Sequence, residues 1–109
     1  MLLVIDVGNT NIVIGVFSGQ ELVHTWRLTT VRERTSDELG ILVASLCDRY
    51  GLLPANVGGI IVASVVPPLT ATVMTMVRDY FGSDAVLFEP SVNSGMPILY
   101  DNPAEVGAD

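Results

Sequence analysis

Basic residues are scarce in this sequence: Lys and Arg together number 5 against 12 acids, for a net charge of -7. Most of such a surface repels a polyanion, which argues against duplex nucleic acid as a partner. A small anion can still bind at one locally positive spot made of backbone N–H groups. Cysteine is nearly absent too. With the single thiol, Cys47, these residues can form no intramolecular disulfide, and no cysteine-based zinc site is in view. Its place in an expected amphipathic helix makes it a buried structural group. Long hydrophobic runs are missing: the longest apolar stretch, residues 60–66, falls far short of the roughly 20 residues a membrane span needs. The opening Leu2-Leu3-Val4-Ile5-Asp6 carries neither a basic leading region nor a small-residue cleavage site, so it does not read as a signal peptide. A soluble, cytoplasmic protein with no membrane or nucleic-acid partner is the expectation.

What is present is enough for one core. Half of the 109 residues are hydrophobic, which suits one small domain and is too little chain for two. Residues 2–7 form an apolar run broken only by Asp6, as in a strand buried on both faces. Gly8-Asn9-Thr10-Asn11 is a turn signal, and a second apolar run follows over 12–17. After the Ser18-Gly19-Gln20 turn, residues 21–29 alternate, with Leu22, His24, Trp26 and Leu28 on one face and Val23, Thr25, Arg27 and Thr29 on the other. Thr35 and Glu38 have the spacing of a capping box and predict a helix start. Leu39, Leu42, Val43, Leu46 and Tyr50 supply its apolar face, and Gly51 its stop. A buried strand over 59–64, a helix opened by Pro67 and Pro68 and closed at Gly82, and a strand over 85–88 complete the series. Residues 97–100 are a further, weaker extended candidate. The order βββαβαβ predicts an α/β fold with a mixed sheet and helices on its faces, similar to the core of the ribonuclease-H-like (actin-like ATPase) fold.

The segment richest in chemistry is Asp6-Val7-Gly8-Asn9-Thr10-Asn11, between the first two strands. An acid inside an apolar strand is costly to bury and needs a partner or a task. At the strand's carboxyl end it could hold Mg²⁺, directly or through water. Gly8 lets a ligand approach the backbone closely, and the following N–H groups with the Thr10 hydroxyl can cradle phosphate oxygens. An ordinary hairpin turn, with Asp6 and Asn9 bonding locally, explains the same residues. On the residues alone the two readings stand level.

Asp6-Val7-Gly8-Asn9-Thr10, followed by Gly15, resembles the first phosphate loop of the acetate and sugar kinase, Hsp70 and actin superfamily, and the Gly-Asn-Thr variant resembles type III pantothenate kinases in particular. The resemblance implies ATP-dependent phosphorylation of pantothenate to 4′-phosphopantothenate, the first step of coenzyme A synthesis. It places nucleotide and Mg²⁺ at Asp6, Val7, Gly8, Asn9, Thr10, Asn11, Ile12 and Val13, with Asp6 as the metal contact. The stretch from Tyr100 to Asp109 resembles the same family's substrate loop, whose Gly-Ala-Asp triplet is normally followed by arginine. By that likeness Asp109 is the general base that takes the proton of the attacking pantothenate hydroxyl, and Tyr100, Gly107, Ala108 and Asp109 line the pantothenate site. Read without the likeness, Asp109 is a surface carboxylate and Tyr100 a core aromatic.

Ser64-Val65-Val66-Pro67-Pro68 looks like the family's strand-to-helix junction and is read as structural. The lone His24 has no partner at metal-ligand spacing, so packing is the expectation for it and Trp26. Arg27, Arg32 and Arg34, near the Thr-rich loop, have an approach to anions open to them but are read in preference as a solvated face, and Asp37, Glu38, Asp48 and Asp79 as helix residues facing water. The chain stops at Gly107-Ala108-Asp109 with no closing element, as though cut from a longer protein. The family likeness implies that residues 1–109 are one lobe. A second lobe, an adenosine pocket and the ligand for a monovalent cation (K⁺ or NH₄⁺) would follow residue 109, and a homodimer is implied. Two other classes fit the fold: a non-catalytic binding or regulatory protein, and a metal-dependent nuclease, which the acidic charge disfavours.

Overall fold

The computed structural model describes residues 1–88. The elements are β1 (Leu2–Val7), β2 (Asn11–Ser18), β3 (Glu21–Thr29), α1 (Ser36–Arg49), a 3-10 turn (Pro54–Asn56), β4 (Gly59–Ser64), α2 (Pro67–Phe81) and β5 (Val86–Phe88). This is the expected order, with the 3-10 turn added and β5 beginning one residue late. The candidate over 97–100 lies outside the described residues.

The five strands form one mixed sheet in the order β3-β2-β1-β4-β5. Strands β1, β2 and β3 pair antiparallel through their short turns, whereas β1 with β4 and β4 with β5 are parallel. The parallel pairs require crossovers, which α1 and α2 provide. Strand β1 is therefore central, flanked by an antiparallel neighbour on one side and a parallel one on the other.

The two helices cover one face of the sheet. Leu3, Ile5 and Val7 of β1, Ile12, Ile14 and Val16 of β2 and Ile60 and Val62 of β4 meet Leu39, Val43 and Cys47 of α1 and Leu69, Val73, Met76 and Val77 of α2. Each such fully buried aliphatic side chain stabilises the fold by roughly 1.5–3 kcal/mol relative to exposure. Cys47 sits in this core as expected, and burial pushes its thiol up to about 11. On the opposite face Val4 and Phe17 pack with Leu2, Leu22 and Ile61.

Strand β3 corrects the expected alternation. Val16 pairs with His24 but Phe17 pairs with Leu22, so Val23 is an extra residue in the ladder. Such a bulge reverses the parity of everything beyond it. Leu22 accordingly joins Phe17 and Val4 on the face away from the helices, while Val23 packs with Trp26 and Leu28 against the main core.

Local signals set both helix boundaries. Thr35 caps α1 with a complete capping box: the Glu38 backbone N–H donates to Thr35 Oγ1 at 3.1 Å, and the Thr35 N–H donates to Glu38 Oε1 at 2.9 Å. Helix α2 opens on Pro67 and closes at Gly82, whose φ of 70° is left-handed. Tyr50, expected on the buried face of α1, is instead half-exposed at its end and packs with a tilted ring against His24 and Trp26 at centroid separations of 4.4 and 5.5 Å. His24 is thus a packing residue. No described helix is long and apolar enough to cross a membrane.

Candidate functional site

The carboxyl end of β1 is where the sheet topology gathers polar chemistry. Asp6 pairs with Val13 of β2 and Ala63 of β4, and Val13 pairs with Arg27 of β3. Directly paired residues share a face, so Arg27, Val13, Asp6 and Ala63 form one row on the side away from the helices. Val13 and Ala63 are buried, and Asp6 is half-buried between them. The acid therefore stands among small apolar neighbours, with an arginine two strands away in its own row.

The turn leaving β1 is closed by the Gly8 N–H donating to the Asn11 carbonyl at 2.9 Å. Gly8 is buried, whereas Asn9 and Thr10 are exposed at the tip. The turn is braced from both sides. From beyond β3, the Thr30 N–H donates to the Thr10 carbonyl at 2.9 Å and Thr30 Oγ1 donates to the Gly8 carbonyl at 2.8 Å. Arg32 Nη2 donates to Asn9 Oδ1 at 3.3 Å. From the β4 side, the Val65 N–H donates to the Val7 carbonyl at 3.0 Å. Carbonyls that would otherwise face an incoming anion are thus occupied inside the protein, a precondition for a turn that presents N–H groups to phosphate.

The structure brings Asp6, Val7, Gly8, Asn9, Thr10, Asn11, Ile12 and Val13 together at one sheet end, with Val7 and Ile12 serving the core. Tyr100, Gly107, Ala108 and Asp109 lie outside the described residues. Thr30 has no role in the sequence reading, which sets an approach of Arg32 to anions below a solvated face. Their signal, a polar stretch straight after an edge strand, is common to many loops, and only the folded chain shows which turn they reach. Arg34 departs from the expected solvated face: its Nε is buried without a hydrogen-bond partner among the described residues. At the strand-to-helix junction the Val66 N–H and the Thr70 hydroxyl both donate to Ser64 Oγ, at 3.1 and 2.9 Å, a structural use as read from the sequence.

The described residues contain no group of three or more His, Cys, Asp or Glu able to hold a metal ion. The half-buried carboxylate of Asp6 fits Mg²⁺, which dehydrates reluctantly and takes one or two carboxylates together with waters and phosphate oxygens. Two concavities lie at the other end of the sheet, one of 370 Å³ lined by Met1, His24, Tyr50 and Asn56 among others, and one of 340 Å³ beside Cys47, Leu52 and Phe81. They sit at the amino end of β1, far from Asp6 and its turn.

Two solved structures share this fold. The ROK hexokinase from Thermus thermophilus superposes with a TM-score of 0.56 at 17% identity, covering 81% of this chain and 33% of that one. Thermus thermophilus RuvC gives 0.54 at 17% identity over 82% of this chain and 61% of that one. At such identity the likeness speaks for the ribonuclease-H-like fold alone. Sequence relatives reach further. Proteins called type III pantothenate kinase from Pelobacter propionicus and Myxococcus xanthus are 52% and 53% identical over all 109 residues, and the one from Geobacter sulfurreducens is 50% identical. This chain spans 43% of the length of each of these relatives. The family model for type III pantothenate kinase matches residues 2–109. With the acid-tipped strand and its braced glycine turn in place, the chain belongs to the type III pantothenate kinase family.

Proposed function

We propose that the whole protein transfers the γ-phosphoryl group of ATP to pantothenate, giving ADP and 4′-phosphopantothenate in the cytoplasm. The observation that carries this reading is the Gly8–Asn11 turn on the central strand, its carbonyls held internally by Thr30 and its own Asn11 pairing, with Asp6 just before it. In phosphoryl transfer the protein's work is positioning and charge stabilisation, and an acceptor is needed for the nucleophile's proton. Backbone N–H groups at the exposed tip of the turn, beyond the Gly8 N–H that closes it, and the Thr10 hydroxyl bind phosphate oxygens, and the Asp6 carboxylate would hold Mg²⁺, directly or through water. The ion neutralises charge on the phosphates when bound. Asp109 accepts the proton of the pantothenate hydroxyl, and Tyr100, Gly107 and Ala108 line that substrate's site.

Residues 1–109 form one lobe in this reading. A second lobe, the adenosine pocket and the ligand for K⁺ or NH₄⁺ belong to later sequence, and two copies of the whole protein associate as a homodimer. The test is turnover by the full-length protein and two variants. Asp109→Asn should bind ATP like the wild type but lose most of its turnover. Asp6→Asn should weaken the response to Mg²⁺ and ATP together. Wild-type turnover in Asp109→Asn removes that residue from the mechanism, and a full-length wild type inert towards pantothenate removes the reading itself.

A further inference from the structure

The chain's five basic residues are Arg27, Arg32, Arg34, Arg49 and Arg78. Four of them have evident local settings. Arg78 pairs with Asp84 at 3.4 Å, Arg49 sits in the last turn of α1, Arg34 lies close enough to Glu38 to favour its carboxylate, and Arg27 stands on β3 in the row of Asp6. Arg32 differs. Its one hydrogen bond among the described residues goes to a neutral amide oxygen, Asn9 Oδ1, at the tip of the glycine turn.

The loop that carries Arg32 is anchored to the turn. Two residues earlier, Thr30 is fastened to the turn by its N–H and its hydroxyl, at 2.9 and 2.8 Å, which fixes where the loop passes. A guanidinium on a neutral partner keeps its whole positive charge and most of its five N–H donors for another acceptor. The planar fork suits two phosphate oxygens at once. In a chain of net charge -7, a side-chain cation at this spot supplies what backbone N–H groups alone do not.

We propose that Arg32 is a phosphate-binding residue of this site: its guanidinium engages the terminal phosphate oxygens of the nucleotide seated on the Gly8–Asn11 turn, exchanging or sharing its resting bond to Asn9. The inference rests on the phosphate-binding reading of the turn. It adds a charged side-chain contact, contributed by the loop between β3 and α1, that depends on the number of phosphates present.

The test compares ATP, ADP and AMP binding calorimetrically with the full-length wild type, Arg32→Ala and Arg32→Lys, alongside the Michaelis constants for ATP and pantothenate. Arg32→Ala should weaken ATP about tenfold or more, the usual worth of a hydrogen bond to a charged group, while AMP and the Michaelis constant for pantothenate hold steady. Arg32→Lys should fall between, since it keeps the charge but loses the fork. If Arg32→Ala does not fold, Arg32→Lys decides by the same comparison. Unchanged preference for ATP over AMP in the folded variants overturns the role of Arg32 and leaves the kinase reading intact. A wild type that binds no nucleotide overturns both.

Discussion

The Tyr80 hydroxyl of α2 donates a 3.0 Å hydrogen bond to Asp37 Oδ1 in the first turn of α1. The same ring lies over Gly40, where any Cβ would overlap it. One aromatic side chain therefore sets how closely the two helices approach above the sheet. Gly40→Ala should destabilise the full-length protein by about 1–3 kcal/mol, the usual cost of overpacking, despite the roughly 1 kcal/mol by which alanine favours a helix interior. Urea unfolding measures it, and an equal or higher midpoint in the variant would show that the ring yields freely.

Tyr80 also predicts an alkaline effect. The bond to Asp37 raises its phenol above the ordinary range, with burial and the charges of Asp37 and Asp79 adding in the same direction. A raised folded value means that the contribution is complete below the ordinary phenol value and fades as pH climbs through the raised one. The stability gap between wild type and Tyr80→Phe should stay constant near neutrality and close above about pH 10. A gap that widens with pH has the wrong sign.

Glu38 gives the acidic counterpart. The Thr35 backbone N–H is the largest cause holding its carboxyl below the ordinary range, followed by the Thr35 hydroxyl, with Arg34 adding a smaller pull in that direction; slight burial opposes all three. A depressed folded value places the contribution above the ordinary glutamate value and removes it as pH falls through the lowered one. Thr35→Ala should cost roughly 1 kcal/mol at neutral pH, as loss of an N-cap typically does. The difference from wild type should shrink on acidification, and chemical denaturation at two pH values tests this.

Cys47 should be inert in the folded protein. It is 1% exposed, and burial pushes its thiol up to about 11, so almost no thiolate is available near neutrality. A thiol-reactive chromophore should label it only at the rate of unfolding. Fast, denaturant-independent labelling would place the sulfur elsewhere.

Thr30→Val keeps the shape of the side chain and deletes its 2.8 Å bond to the Gly8 carbonyl. A hydrogen bond of this kind is worth about 1 kcal/mol, so the Michaelis constant for ATP should rise roughly fivefold, with pantothenate little affected. An unchanged constant for ATP would mean that the turn holds its form without this brace.

Much of the fold was open to a reading of the sequence because its signals are local. Residues 21–29 alternate between turns, Thr35 and Glu38 mark the start of α1, and Pro67 and Gly82 bracket α2, each within a few positions. The bulge at Val23 escaped because alternation in one strand says nothing about the register of its neighbour. The 3-10 turn escaped for another reason. It depends on Asn56 Oδ1 accepting from the Leu53 N–H and on the amino terminus donating to the Asn56 carbonyl across 55 positions. In the site, the residues from Asp6 to Asn11 were visible as a contiguous motif. Arg32 lies 23 positions from Asn9, and although an approach to anions was open to it, an arginine in a polar loop carries no mark of which turn it reaches.

The middle position of β1 has a consequence for where the protein can breathe. Opening starts at the margins of a sheet, here β3 and β5, and works inward. Amides at the end of β1 should therefore exchange with deuterium among the last in the domain. Asp6 and the start of its turn keep their place through such partial openings, whereas the Thr30 and Arg32 contacts, which follow the edge strand β3, are released with it.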